Sequence, residues 1–222
     1  MGSQRERLPA AVLAAAGDRR GGATEVARQA LDGLLEIASD RALLKVAAQV
    51  LLEGQPAMAP VWHLARAARG EDPAAALAVL RDRLDHDAEA AAETAVAWLR
   101  RHAGPGHGPG PVATVSHSSL VDLVLERLPG HGEVGEATVA VVGSDAIGPD
   151  ALLNATGTRA LADRLPTLVV SIPVKLVPAS VFARLAAPGF EAVPLRALAA
   201  VAMGRELLSP AEAGRRAAAL DE

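Results

Sequence analysis

The first hundred residues have the spacing of amphipathic helices. Over residues 24–38, apolar side chains recur every three or four positions, which predicts a helix with one buried face and Thr24 as its cap. A later segment places apolar residues every seven positions from Leu77 to Trp98. The further predicted helices cover 41–54, 60–70 and 73–103. We expect these helices to pack as a bundle.

The pattern changes after a run of glycine and proline at 104–111, which suits neither a helix nor a strand. Beyond it, short β-rich runs alternate with helical segments. The β-rich runs are 112–117, 138–142, 167–172 and, as a candidate fourth, 190–195. Strands that are apolar on both faces and alternate with helices predict a parallel sheet covered on both sides. The predicted fold class is therefore α/β: a helical domain at 1–103, a linker at 104–111 and a sheet domain at 112–222.

Polar residues follow two of the predicted strands. Asp145 lies just past one strand, and His117 and Ser118 lie just past another. Ligands of open parallel sheets bind at the carboxyl ends of the strands. Ser119 with Asp122 has the spacing of a capping box, and the helix it would begin offers unpaired N–H groups to an anion.

Two further features are candidate anion contacts. Arg20, Gly21 and Gly22 precede the first long helix, whose amino terminus could bind an anion with Arg20 as the charge partner. The alternative is a glycine hinge with a solvated arginine. Lys175, one of only two lysines, follows the third β-rich run. It either contacts a ligand or lies on the surface.

Composition excludes several function classes. The net charge is −4 without a basic stripe, which argues against nucleic-acid binding. No segment has 18 uncharged apolar residues, so no membrane span is predicted. The absence of cysteine excludes disulfides and thiol catalysis and fits a cytoplasmic protein. The glycines at 130–135 precede a strand, which is the wrong context for a dinucleotide loop. We therefore predict no cofactor and no metal.

Four segments together resemble one known family. They are "RRGGATEVARQAL" (19–31), "ATVSHSSLVDLVL" (113–125), "VVGSDAIGPDALLNATGTRALA" (141–162) and "LVVSIPVKL" (168–176). In this order they are similar to the initiation factor 2B alpha/beta/delta superfamily, which includes methylthioribose-1-phosphate isomerase and ribose-1,5-bisphosphate isomerase. The resemblance implies a helical domain followed by a Rossmann-like domain, with a sugar-phosphate site between them.

The resemblance also implies roles for individual residues. In the isomerases, the aspartate that matches Asp145 works with a cysteine to move a proton between C1 and C2 of an aldose 1-phosphate. The positions matching Asn154, Gly157 and Thr158 help to hold the substrate, and the position matching Lys175 lies near it. Family members commonly dimerise through the carboxyl-terminal domain, so a homodimer is compatible with this chain.

Three departures change what we expect. The chain has no cysteine, so the thiol partner of the aspartate is missing. The family's Asn-Lys pair is Asn154-Ala155 here, which removes a cation. Only about twenty residues separate Ser118 from Thr138, enough for one helix and a loop. The family has further βα units at this point, so we expect a reduced Rossmann-like sheet.

Our preferred hypothesis is an initiation factor 2B-like protein without isomerase activity. It would bind a phosphorylated sugar or nucleotide, a protein partner, or both. The alternative is an aldose-phosphate to ketose-phosphate isomerase in which His117, with an ordinary pKa near 6.5, replaces the thiol beside Asp145. A third hypothesis keeps only a protein-interaction surface and no ligand.

Overall fold

The computed structural model of the protein describes residues 2–102, 111–115, 118–128 and 137–221. Its first part is helical, as predicted, and α2 to α5 pack against one another while α6 packs on α3 and α5. The amino-terminal helices are α1 Gly2–Arg5, α2 Ala10–Gly17, α3 Ala23–Glu36, α4 Arg41–Gly54, α5 Ala59–Arg69 and α6 Pro73–His102. The predicted linker lies outside the described residues except for Pro111.

Two predicted helix caps are wrong. The N-cap of α3 is Gly22, whose carbonyl oxygen accepts the first helical bond from Val26, and Thr24 lies buried inside the first turn. The helix α7, Ser119–Glu126, begins one residue before the predicted position. Its N-cap is Ser118, whose carbonyl oxygen accepts from the Asp122 amide. Neither N-cap makes a side-chain capping bond. The amino termini of both helices therefore keep backbone N–H groups without a side-chain cap.

The described strands form two sheets. The larger has the order β1-β2-β5-β7-β8, in which the first four strands are parallel and β8 is antiparallel. The smaller is antiparallel with the order β3-β4-β6. The strands are β1 Val112–Ala113, β2 Val139–Val142, β3 Ala146–Ile147, β4 Ala151–Ala155, β5 Thr167–Ser171, β6 Phe190–Pro194, β7 Ala200–Met203 and β8 Glu206–Leu208. The later helices are α8 Thr158–Ala162, α9 Ala179–Phe182 and α10 Pro210–Ala218.

The central strands of the larger sheet, β2, β5 and β7, are buried on both faces, which confirms the predicted α/β class. Along β5, Leu168 and Val170 join the core shared with the amino-terminal helices, whereas Val169 joins the core beneath α10. The same alternation divides the side chains of β2 and β7. Because successive side chains point to opposite faces of a strand, an unbroken apolar run is what a doubly covered sheet requires.

The fourth parallel strand is not the one that the sequence pattern indicated. Residues 190–195 contribute β6 to the smaller sheet, and β6 is only partly buried. The fourth strand is β7, which is fully buried but rich in alanine, a residue that is depleted in strands. The segment after Asp145 forms the hairpin of β3 and β4.

None of the helices in the described ranges is both long and apolar enough to cross a bilayer. The division into two domains stays a prediction. One continuous apolar core contains side chains from α2 to α6 and from the larger sheet.

Candidate functional site

A cavity of about 930 Å³ lies between the amino-terminal helices and the carboxyl ends of β2 and β5. Most of the predicted site residues line it: Arg20, Gly21, Gly22, Ser118, Asn154, Lys175 and Asp145. Gly157 and Thr158 do not line it, and His117 lies outside the described residues. Segments far apart in the chain therefore meet at one site.

Asp145 is held in place through its backbone. Its amide donates to the Leu153 carbonyl oxygen at 2.9 Å, and its own carbonyl oxygen accepts from the Ala59 amide at 3.0 Å. The side chain is only 8% exposed and makes no hydrogen bond to any described residue. Burial raises the pKa of this carboxyl to about 6, and the positive charge of Lys175 limits the rise. Asp145 can therefore exchange a proton near neutral pH.

Lys175 ends the short 3-10 turn Pro173–Lys175 that follows β5. His63 secures this turn from α5, because its Nε2 donates to the Leu176 carbonyl oxygen at 2.9 Å. The Lys175 side chain is 2% exposed, and its ammonium has no hydrogen bond or ion pair within the part of the chain that the structure describes. Burial lowers its pKa to about 8; Asp145 opposes that shift and Arg28 adds to it.

Asn154 presents its amide to the cavity from β4. Its Nδ2 donates to Thr158 Oγ1 at 3.0 Å, and that hydroxyl donates to the Ala155 carbonyl oxygen at 2.7 Å. Thr158 is fully buried and fixes the orientation of the amide. One Nδ2 hydrogen is used in this way, so the second Nδ2 hydrogen and the side-chain oxygen Oδ1 of Asn154 are left for a ligand.

Gly157, next to Thr158, contributes through its backbone conformation and its amide. Gly157 has φ +104°, in the left-handed region that favours glycine. Glu191 Oε1 accepts from the amides of both Gly157, at 2.7 Å, and Arg159, at 2.9 Å. A carboxylate of the protein itself therefore occupies the amino terminus of α8.

The loop before α3 also lines the cavity. Asp18 Oδ1 accepts from the amides of Arg20 at 2.7 Å and Gly21 at 2.9 Å, and these bonds lower the pKa of Asp18. The Arg20 side chain is exposed and has no hydrogen-bond partner among the described residues. Gly22 and Ala23, where α3 begins, line the cavity. The first turn of α3 and the Arg20 guanidinium therefore remain accessible to an anion.

The base of this loop is tightly packed. Gln55 Nε2 donates to the carbonyl oxygens of Ala15 and Asp18, each at 2.7 Å. Gly54 approaches the Ala16 backbone so closely that a Cβ would overlap it. Apolar side chains complete the cavity on one side, namely Ala57, Met58, Ala187, Pro188 and Phe190. The site thus combines an anion-accessible helix terminus, buried polar groups and an apolar wall.

Sequence reasoning missed several residues of the site. Ser144 lines the cavity beside Asp145, and its hydroxyl lies 2.8 Å from the Ser171 hydroxyl. Asp18 could have been predicted from the sequence, since aspartate before a glycine turn commonly bonds nearby amides. Gln55 could not have been predicted, because its partners are 37 and 40 residues away. No three described His, Asp or Glu side chains are grouped as a metal site would require.

No model of a known protein family matches this chain, and no curated protein matches it significantly.

Similarity in structure confirms the resemblance at the level of the fold. The translation initiation factor eIF-2B of Pyrococcus horikoshii OT3 superposes with a TM-score of 0.69 at 18% identity, covering 92% of this chain and 99% of that one. The eIF2B beta subunit of Chaetomium thermophilum gives 0.64 at 10% identity, covering 97% and 92%. The 5-methylthioribose 1-phosphate isomerase of P. horikoshii OT3 gives 0.58 at 13% identity, covering 93% and 86%. The chain has the fold that eIF2B subunits share with this isomerase.

Proposed function

We propose that this chain, which has the eIF2B and sugar-phosphate isomerase fold, binds a small phosphorylated sugar or nucleotide and does not turn it over. One observation carries the proposal. The side chains of Asp145 and Lys175 are each more than nine-tenths buried, neither makes a hydrogen bond to a described residue, and both residues line one cavity. A buried ionised group without a partner destabilises a fold, so such groups indicate a site that a ligand completes.

The arrangement suits a phosphorylated polyol. The first turn of α3 offers backbone N–H groups and the positive end of the helix dipole, with the Arg20 guanidinium alongside. Asp145, Asn154 and Lys175 would then contact the hydroxyl groups. The cavity volume of about 930 Å³ is within the usual range for small-molecule sites. The neighbour that acts on 5-methylthioribose 1-phosphate has the same fold, which supports this ligand class by analogy only.

Thermal unfolding against a ligand panel tests the proposal. The panel contains aldose 1-phosphates, sugar bisphosphates, nucleoside monophosphates and the matching compounds without phosphate. A ligand at a hundred times its Kd should stabilise the protein by about 2.7 kcal/mol, or about 5 to 11 °C for a chain of this size. We expect the shift to shrink in Arg20→Ala and in Asp145→Asn.

Arg83→Ala is the matched control for Arg20→Ala. Arg83 is an exposed arginine on α6 that lies away from the cavity and has no partner among the described residues. The ligand-induced shift should therefore be unchanged in that variant. If a folded protein gives no shift with any compound, the binding proposal fails and a protein-interaction role is favoured.

The second candidate function is the isomerase in which Asp145 and His117 exchange protons with the substrate. The raised pKa of Asp145, about 6, favours it, because a general base works best when its pKa lies near the working pH. The reaction would remove the C2 proton, pass through a cis-enediolate and reprotonate C1. Ketose formation that is lost in both Asp145→Asn and His117→Ala would establish this function. Solvent deuterium at C1 of the product would verify the proton transfer.

A homodimer and a cytoplasmic location stay predictions. Light scattering on purified protein with and without the stabilising ligand would measure the oligomeric state. A monomer at micromolar concentration would remove the dimer from the proposal and leave ligand binding unaffected.

A further inference from the structure

Lys175 has the surroundings of a nucleophilic amine. Its side chain is 98% shielded from solvent, it has no hydrogen-bond or ion-pair partner in the described ranges, and it faces a cavity large enough for a ligand. A lysine that only neutralises a phosphate needs to stay protonated, and contacts with carboxylates or carbonyl oxygens would favour that form. None of these groups among the described residues lies within hydrogen-bond or ion-pair distance of the Lys175 ammonium; the charge of Asp145 favours the protonated form, but burial outweighs it. Burial therefore shifts the equilibrium of Lys175 toward the neutral amine, which is the nucleophilic form.

We propose that Lys175 is a carbonyl-reactive lysine, which forms an imine with the aldehyde group of an open-chain sugar phosphate held in the cavity, with Asp145 as the neighbouring proton donor and acceptor. The inference rests on the proposed function in one respect, since the phosphate contact at α3 would bring the aldehyde to the amine. It goes further in assigning covalent chemistry to the site.

The chemistry needs no oxidant and no cofactor. The Nζ lone pair attacks the carbonyl carbon, a C–N bond forms, and the carbonyl oxygen takes a proton from the Asp145 carboxyl group. The nitrogen then returns a proton to the carboxylate. When the C–O bond breaks, the hydroxyl leaves as water with that proton, and the nitrogen lone pair forms the C=N bond. One amine and one aldehyde become one imine and one water, and a final proton exchange restores Asp145.

The acid–base properties of the two groups suit these steps. Burial lowers the pKa of Lys175 to about 8 and raises that of Asp145 to about 6. Near pH 7, a useful fraction of the lysine is therefore neutral and a useful fraction of the aspartic acid is protonated.

The chain carries its own control for such reactivity. Lys45, the only other lysine, is exposed on α4 and does not line the cavity. A lysine whose pKa is about 8 has about two-hundredfold more neutral amine at pH 7 than a free lysine side chain of pKa near 10.4. Any aldehyde labels the two lysines in competition within one molecule. Comparing the labelling of Lys175 with that of Lys45 therefore distinguishes a reactive site from a reagent that labels any lysine.

Reductive trapping tests the proposal. The full chain is incubated at pH 7 with ribose 5-phosphate or with ribose, each with sodium cyanoborohydride, which reduces an imine to a stable secondary amine. Peptide mass spectrometry then measures the adduct on each lysine over time. We expect Lys175 to be labelled at least about tenfold faster than Lys45, allowing for the lower intrinsic nucleophilicity of an amine of lower pKa. We also expect faster labelling with ribose 5-phosphate than with ribose.

The possible results distinguish the imine proposal from the proposed binding of a phosphorylated ligand. Equal labelling of both lysines, or labelling of Lys45 alone, would overturn the imine proposal, even where ribose 5-phosphate shifts the melting temperature without reductant. Selective labelling of Lys175 by both sugars at the same rate would uphold the imine and remove the phosphate contact. Asp145→Asn should slow labelling of Lys175 and leave Lys45 unchanged. An unchanged rate at Lys175 would remove Asp145 from the mechanism.

Discussion

Replacing Lys175 with methionine should stabilise the protein while abolishing its ligand binding. Methionine has about the same length and flexibility, so it can occupy the same space without a charge. The wild-type ammonium is buried with no partner in the described ranges, and a buried charge destabilises the folded state. The expected gain in stability follows from the pKa of the group.

The magnitude can be worked from linkage. The pKa of Lys175 falls from 10.5 to about 8 on folding, which corresponds to a cost of about 3 kcal/mol for the charged form. Without the lysine, Asp145 loses a favourable charge and takes up a proton. At pH 7 this change at Asp145 destabilises the variant by at most about 1 kcal/mol, because the pKa of Asp145 is already about 6. The net gain is about 2 kcal/mol, or roughly 4 to 8 °C in Tm.

The sign of the pH dependence provides a second test. Because the pKa of Lys175 is lowered in the folded state, its penalty is fully present below pH 8, is relieved as the pH rises from 8 to 10.5, and is absent above that range. Urea unfolding of the parent and Lys175→Met from pH 7 to 10.5 should therefore show a stability difference that decreases with pH.

Lys45→Met is the matched control, since Lys45 is exposed on α4. Its effect should stay within about 0.5 kcal/mol and vary little with pH. If Lys175→Met is less stable than the parent at pH 7, the ammonium makes a net stabilising interaction. That result would refute the argument that a ligand completes this site.

Three further changes test other parts of the site. In the parent, the unfolding free energy should fall by about 3 kcal/mol as the pH rises through 3.8 and 6, because the pKa of Asp145 is raised on folding. Asp145→Asn should abolish this fall, and urea unfolding across this pH range measures it. Thr158→Val should cost about 1 to 3 kcal/mol in thermal unfolding by leaving the Asn154 amide unpaired, and Thr158→Ser should restore most of it. Gly54→Ala should destabilise by about 1 to 3 kcal/mol, because the new Cβ overlaps a backbone carbonyl of α2, whereas Gly17→Ala meets no atom within 4 Å and should be neutral or slightly stabilising.

Each of these three predictions would be contradicted by a specific result. A stability difference between Asp145→Asn and its parent that is constant from pH 4 to 7 would mean that the acid keeps its ordinary pKa. Equal losses in Thr158→Val and Thr158→Ser would indicate packing and not the hydroxyl. Equal effects at Gly54 and Gly17 would show that the close approach of α4 to α2 is not rigid.

Local patterns along the chain were sufficient for much of the fold. Helix periodicity over the first hundred residues predicted four of the helices, and unbroken apolar runs predicted the doubly covered sheet. These predictions succeed because the residue types at consecutive positions show both amphipathic spacing and burial on both faces. Beyond the two helix caps, the predictions failed for an alanine-rich strand, β7, and for the assignment of β6, since which sheet a strand joins depends on distant partners.

The candidate site shows the same division. The sequence by itself determined which residues had suitable chemistry, including Asp145, Asn154 and Lys175, because their motifs lie within short segments. Only the tertiary structure decided that these groups share one cavity, that Thr158 orients Asn154, and that Glu191 closes the amino terminus of α8. Burial decided the charge properties of Asp145 and Lys175, because desolvation depends on the atoms that surround a group in space and not on its neighbours in the chain.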